Sequence, residues 1–213
     1  TQRFYCSIPP SPEKFSFQAV PNSKISFRRT NIARIEYLLM SNEYSIWFIP
    51  DRDTDAYREL SNMISEYAEM YDDAPEFKPH ITVLGGIDRD VSILKRNVQD
   101  LAEECNPVET ILTRPHCSTT KHQCVFILVE PTVSILSAHE TMRDVCKLDQ
   151  RMYVPHLSLI YSEMGIAERL QITNSIDISS LHNIIYADEI ALVDTEAGVP
   201  DWEIVERYDV SME

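Results

Sequence analysis

Two stretches of this chain, "FKPHITVLGG" and "YVPHLSLIYSE", share one order of residue types: aromatic, any residue, proline, histidine, apolar, hydroxyl. Side chains alternate across a strand, so His80 and Thr82 share one face with Ile81 on the other, and His156 and Ser158 share one face around Leu157. Pro79 and Pro155 remove a backbone donor just ahead of each histidine, which suits the entry of a strand. Each motif therefore presents an imidazole and a hydroxyl side by side. If the two strands face one cleft, two imidazoles and two hydroxyls converge. Imidazole is the side chain best matched to proton transfer near neutral pH, and two of them can act as base and acid in one displacement. Two hydroxyls can hydrogen-bond the non-bridging oxygens of a phosphate. The set predicts hydrolysis of a strained cyclic phosphate, in which one histidine activates water and the other protonates the departing oxygen. Each proton transfer would contribute on the order of 10²–10⁴ in rate. Two unperturbed histidines predict a bell-shaped pH profile with its optimum between about pH 6 and 7.5.

Either histidine alone would read as an ordinary half-buried strand residue. The chain has only 6 histidines, and finding the same frame twice at matching places makes the catalytic reading the better one. His116 and His122 are expected near the cleft, whereas His139 and His182 read as helix-face or loop residues. No metal or other cofactor is expected. His80 and His156 lie 76 residues apart, far from a compact ligand motif, and no third ligand presents itself.

The elements that must position the motifs follow a repeat. "YSIWFIP" is an apolar strand. Between Thr54 and Tyr71 apolar residues recur at three and four, marking an amphipathic helix. "HITVLGG" is a β-branched strand, residues 91–104 form a second helix, and "ETILT" is a third strand. The second half runs in the same order: strand "QCVFILVE", a helix opened by Pro131 and Thr132, strand "HLSLIY", and a helix or helical turn over residues 165–171. "DEIALVD" and "WEIVERY" close the chain as strands. The pattern predicts an α+β fold of two lobes related by a pseudo-twofold axis. Residues 1–43 read as a separate N-terminal extension. It holds Pro9, Pro10, Pro12 and Pro21, with "KISFRR" as a possible strand, and residues 44–213 form the bilobal domain.

The 213 residues carry a formal charge of −15. Residues 1–43 hold six basic and three acidic side chains, so the body carries −18. Lys24, Arg28, Arg29 and Arg34 could steer a phosphate, but a charge run of this kind more often solvates a strand against an acidic body. The acidic balance argues against a duplex DNA or RNA partner, while a small anion can still find a locally positive pocket. No apolar run approaches the roughly 20 residues of a membrane span, and "TQRFYCSIPP" is too polar for a signal peptide. The start on Thr1 reads as a trimmed or processed terminus. Five cysteines, Cys6, Cys105, Cys117, Cys124 and Cys146, without a C-x-x-C pair read as reduced thiols in an intracellular, cytoplasmic setting, with Cys124 a small core residue.

Paired H-x-T/S motifs are the signature of the 2H phosphoesterase superfamily. Across about residues 44–208 the chain resembles its plant and yeast cyclic phosphodiesterases, through "YSIWFIPD", "FKPHITVLGG", "HQCVFILVE", "YVPHLSLIYSE" and the pairing of "ALVDT" with "DWEIVERY". The resemblance implies two antiparallel sheets around a water-filled central cleft with helices outside. It implies metal-independent opening of ADP-ribose 1″,2″-cyclic phosphate downstream of tRNA splicing, and of nucleoside 2′,3′-cyclic phosphates to 2′-phosphates. It makes His80 and His156 the catalytic pair, Thr82 and Ser158 the phosphate ligands, and Tyr161 a wall of the same cleft. Plant members carry a run of aromatics where this chain has Thr120, Lys121 and His122, so the stack on a nucleobase falls to His122. The expected partner is a small nucleotide cyclic phosphate bound by a monomer, with no membrane partner. Two rival readings are a 2H phosphodiesterase cutting 2′,5′-linked or cyclic oligonucleotides, and a catalytically idle nucleotide-binding or interaction module. An idle binder would need the hydroxyls but not two imidazoles.

Overall fold

The computed structural model describes residues 43–210. The N-terminal extension, with its "KISFRR" segment, lies outside them apart from Glu43. Within them the chain runs β1 (Tyr44–Pro50), α1 (Asp55–Met70), β2 (Ile81–Ile87), α2 (Val91–Glu104), β3 (Val108–Cys117), β4 (Val125–Val129), α3 (Val133–Val145), β5 (His156–Ile160), α4 (Ile166–Ser175), β6 (Ile184–Asp194) and β7 (Glu203–Asp209). Three helices begin where a side chain caps them: Thr54 accepts from the Tyr57 N–H, Asp90 from those of Ser92 and Ile93, and Thr132 from that of Ile135. Each such cap contributes about 1 kcal/mol.

All strand pairs are antiparallel, and the half-repeats exchange their third strands. β1 pairs with β2 and with β6, while β4 pairs with β5 and with β3. Each lobe therefore borrows the closing strand of the other half, and β7 extends the first sheet beyond β6. The helices follow the same exchange: α1 packs on β5 and α3 on β2, while α2 packs on β6 and α4 on β3. The swap supplies the pseudo-twofold relation in strand pairing and helix packing alike. The two sheets are hydrogen-bonded into one order, β1-β2-β5-β4-β3-β6-β7. The early part of β6 pairs with β3, and β2 touches β5 at the single pair Ile81↔Leu157.

The repeat extends to irregularity. In the first lobe Ile46 faces Leu84 but Trp47 faces Thr82, so Val83 bulges out of register. In the second, Val125 faces Ile160 but Phe126 faces Ser158, so Leu159 does the same. Bulges re-aim side chains next to sites; here each puts an aromatic beside the motif hydroxyl on one face, while the extra Val83 or Leu159 sinks into the core. Gly85 follows the first bulge. A Cβ there would sit 3.2 Å from the Ser45 hydroxyl, tight enough to push β1 and β2 apart beside Thr82. One apolar core, including Ile46, Phe48, Ile81, Leu94, Ile127, Ile135 and Leu157, fills the space under the sheets. A second, smaller cluster of Trp47, Ile49, Ala191 and Val193, flanked by Trp202 and Ile204, lies on the cleft face. Cys124 and Cys146 are buried, and the cysteines at 105, 117, 124 and 146 are free thiols.

Candidate active site

The Ile81↔Leu157 pair sets the geometry of the site. Both side chains are fully buried. One residue further along an antiparallel register, His80 falls opposite Ser158 and Thr82 opposite His156. Opposed residues share a face, at about 4.5–5.5 Å between Cβ atoms. The four motif side chains therefore form a square on the cleft face at the seam of the two lobes.

The imidazoles are held alike. His80 Nδ1 lies 2.7 Å from the Lys78 carbonyl, and His156 Nδ1 lies 2.7 Å from the Val154 carbonyl, each two residues back across the motif proline. A carbonyl only accepts, so in each neutral ring the proton sits on Nδ1 and Nε2 is left as the acceptor facing the cleft. That tautomer can take a proton at Nε2 or, once charged, give one from it.

Their surroundings differ. His80 is 4% exposed and its ring stacks on Trp47 with centroids 3.8 Å apart. Phe77 and Trp202 stand edge-on to it, each at 6.1 Å. Burial in this aromatic wall lowers the His80 pKa to about 4; the Lys78 carbonyl opposes the shift, and the charge of nearby His156 adds to it. His156 is only half-buried and meets Phe126 edge-on at 5.0 Å. Burial lowers its pKa too, against the Val154 carbonyl.

The other residues singled out from the sequence fall around this square. Tyr161, buried, places its hydroxyl 3.4 Å from His80 Nε2 and stacks on Phe77 at 4.1 Å. Burial raises its pKa, so it stays a phenol, with a hydrogen bond to Ser158 pulling the other way. His122 sits on a short 3₁₀ turn, Lys121–Gln123, edge-on to Tyr161 at 5.3 Å and tilted over Trp202 at 6.0 Å. Its backbone carbonyl accepts from the Ser158 hydroxyl at 3.3 Å. His116 stacks on Phe126 at 5.4 Å on the cleft face of the second lobe. Of the two histidines read as helix-face or loop residues, His182 pairs with Glu59 on the surface, and His139 is buried on α3.

The square has supports that sequence reasoning did not single out. Trp47 and Phe126 are equivalent residues across the pseudo-twofold, each facing a motif hydroxyl. Every residue of β1 is buried, so no polar alternation marks Trp47 as a cleft residue. The motif's own aromatics act as struts. Tyr153 donates to the Thr82 carbonyl at 3.0 Å and stacks flat on His139 at 4.0 Å, while His139 Nδ1 donates to the Val83 carbonyl at 2.8 Å. Arg169 on α4 is 2% exposed, and its guanidinium donates to the carbonyls of Ser118, Thr120, Met164 and Ser162 at 2.7 to 3.0 Å. Four carbonyls here satisfy a buried cation, the role a carboxylate ordinarily fills. The clamp ties the turn carrying His122 to the segment that follows Tyr161. Asp73 fastens that segment again, accepting from the Ser162 hydroxyl and the Glu163 N–H.

Two cavities flank the site. One of 180 Å³ touches both Thr82 and His156. A larger one, of 510 Å³, lies behind Trp47, Phe77 and Trp202, and its walls include none of the four motif side chains. The smaller cavity is therefore the one that adjoins the motif residues. Among the described residues no group of three or more His, Cys, Asp or Glu side chains is placed to hold a metal ion.

Two swapped half-repeats each deliver one histidine and one hydroxyl to a shared seam. The comparisons with known proteins support a phosphodiester hydrolase of the 2H phosphoesterase superfamily. The family described as Cyclic phosphodiesterase-like protein matches residues 40–144, which include the first motif. A cyclic phosphodiesterase of Arabidopsis thaliana is 26% identical over 59% of this chain and 68% of its own length. A 2′,3′-cyclic-nucleotide 3′-phosphodiesterase of Yarrowia lipolytica is 25% identical over 76% of this chain and 96% of its own. The fold is that of E. coli LigT, solved with phosphate, at a TM-score of 0.53 and 10% identity over 81% of this chain and 99% of that one. No helix among the described residues is long and apolar enough to cross a membrane.

Proposed function

We propose that this enzyme opens nucleoside 2′,3′-cyclic phosphates to 2′-phosphates, and ADP-ribose 1″,2″-cyclic phosphate in the same way, by two-histidine acid–base catalysis without a metal. The observation that carries the reading is the square of His80, Thr82, His156 and Ser158 set by the Ile81↔Leu157 pair. The Yarrowia relative's name, which specifies a 2′,3′-cyclic nucleotide and the 3′ bond, supports the substrate and the regiochemistry.

Phosphorus sits between the two Nε2 atoms, its non-bridging oxygens toward the Thr82 and Ser158 hydroxyls. Ser158 turns from the His122 carbonyl to donate to the phosphate, a small cost for a bond of 3.3 Å. In the abundant singly protonated state buried His80 is neutral and His156 is the imidazolium, since His80 is the harder of the two to charge. His80 Nε2 takes the proton of a water at the closed, aromatic end. The water oxygen bonds to phosphorus, the bond from phosphorus to the 3′ oxygen breaks, and His156 Nε2 gives its proton to that oxygen. The sugar then extends from the His156 side, where the adjoining cavity lies. The free thiols fit an intracellular enzyme.

The test is a panel of cyclic phosphates incubated with enzyme in EDTA, with products read by phosphorus NMR. The expected outcome is turnover undiminished by the chelator, with 2′-phosphate as the sole nucleotide product. Loss of activity in EDTA that Zn²⁺ or Mn²⁺ restores, or a 3′-phosphate product, would contradict the scheme.

A further inference from the structure

β2 and β5 pair only at Ile81↔Leu157, so the next two residues of β2, Thr82 and Val83, have no strand partner on that side. Both belong to the first bulge, where Trp47 faces Thr82 and Val83 falls out of register. A bulge disrupts the ladder locally, and the carbonyls it frees need donors from elsewhere. Two side chains supply them. The Tyr153 hydroxyl donates to the Thr82 carbonyl at 3.0 Å, and His139 Nδ1 donates to the Val83 carbonyl at 2.8 Å. The two rings lie flat on each other, with centroids 4.0 Å apart and 1° between planes, so neither donor swings away without breaking the stack. Burial raises the Tyr153 pKa, which keeps it a phenol and a donor. Tyr153 comes from the other half-repeat. It stands just ahead of the second motif, and its neighbour Val154 offers the carbonyl that anchors His156 Nδ1. One short segment thus holds the second motif's histidine through a backbone carbonyl and the first motif's Thr82 through a side chain. Thr82 falls opposite His156 at the seam, where the strands no longer pair, and Tyr153 makes the connection that the ladder lacks.

We propose that Tyr153, with His139 stacked on it, is a positioning pair for the reaction, fixing the Thr82 hydroxyl at its working distance from His156. Neither residue touches the phosphate; both act through the backbone of β2. The proposal rests on the cyclic-phosphate reading above. A brace that only stabilised the fold would act alike whether or not residue 82 carried a hydroxyl. A positioning pair acts through that hydroxyl and loses its effect when the hydroxyl is gone.

The experiment is a double-mutant cycle read in KM for adenosine 2′,3′-cyclic phosphate, because KM does not depend on how much of a preparation is folded. Tyr153→Phe keeps the ring stack and removes only the donor to Thr82. His139→Phe keeps a ring in the stack and removes the donor to Val83. Each is made in the wild type and in Thr82→Ala. In the wild type, Tyr153→Phe is expected to raise KM by about fivefold or more, the scale of one hydrogen bond left unmade, with His139→Phe raising it less. In Thr82→Ala each should change KM by less than about twofold, because residues joined in one network do not act additively. An unchanged KM in both ring variants, or the same rise with and without the Thr82 hydroxyl, overturns the positioning role while leaving the enzyme's reaction standing. If the wild type opens no cyclic nucleotide, the cyclic-phosphate reading itself fails, and the positioning role with it.

Discussion

His80 and His156 carry one motif but sit in different media, and that asymmetry controls how pH acts on the enzyme. In the proposed mechanism the active form in kcat/KM has His80 neutral and His156 charged. Activity should rise as His80 loses its proton near its lowered value of about 4 and fall as His156 loses its own, below the ordinary 6.5. The bell for the free enzyme is therefore expected between about pH 4 and 6.5, lower than two unperturbed histidines predict, because burial against Trp47 and Phe77 disfavours the charged ring. A kcat/KM optimum above pH 7.5 would contradict the assignment. The same burial couples His80 to stability. In the folded state it stays neutral down to about 4, whereas the unfolded chain takes up the proton near 6.5, so its contribution is whole above 6.5 and is lost as pH falls toward 4. The loss should be on the order of 3 kcal/mol, read as the difference in acid sensitivity between wild type and His80→Gln in urea titrations at pH 7 and pH 4.5; equal sensitivity would show that His80 is charged in the fold. The hydroxyls act separately. Thr82→Ala and Ser158→Ala should each cost roughly 1–3 kcal/mol in kcat/KM if they donate to anionic oxygens, and unchanged values in both would place the phosphate elsewhere.

At the scale of elements, the site depends on segments that come from far apart in the chain. Arg169 is the clearest case, since its four carbonyl partners hold the turn carrying His122 and the strand end carrying Tyr161. Arg169→Met should orphan those carbonyls, at about 1–3 kcal/mol for each that water cannot reach. It should raise KM more than it lowers kcat, because Ser158 loses its backdrop while the imidazoles keep their own carbonyl anchors. Arg169→Lys should recover part of both, and a variant with wild-type melting temperature and KM would remove the clamp from the account. The sequence showed most of these elements, because periodicity and caps are local: Thr54 and Thr132 stand where helices begin, and the run over residues 91–104 coincides with α2. The two motif faces were legible for the same reason, since alternation within one strand places His80 with Thr82. The resemblance also gave the pairing of "ALVDT" with "DWEIVERY", which is that of β6 with β7; what could not be read was the pairing between the half-repeats. Nothing in the alternation of β3 or β6 says that each closes the other half's sheet, because partner choice depends on the whole fold. The wall around His80 was hidden by the same fact: Trp202 reaches it from β7's entrance, and Trp47 lies in a strand buried on both faces.

The molecule as a whole is a duplicated frame used unequally. Strand exchange, helix packing and both bulges obey the pseudo-twofold, and they bring two like units, His80 with Thr82 and His156 with Ser158, to one seam. The surroundings break the symmetry: an aromatic wall encloses His80, while a cavity with two arginines opens beside His156. On the proposed mechanism a proton then has a direction in which to travel, from a water at the closed end to a sugar oxygen at the open one. That direction is the central claim, and the rate of the chemical step in single-turnover opening of a nucleoside 2′,3′-cyclic phosphate tests it most directly. His80→Ala and His156→Ala are each expected to slow that step by about 10²-fold or more. The double variant should lose less than the product of the two, because the pair acts as a unit. A near-wild-type rate in either single variant, or losses that simply multiply, would contradict two histidines acting together on one phosphate.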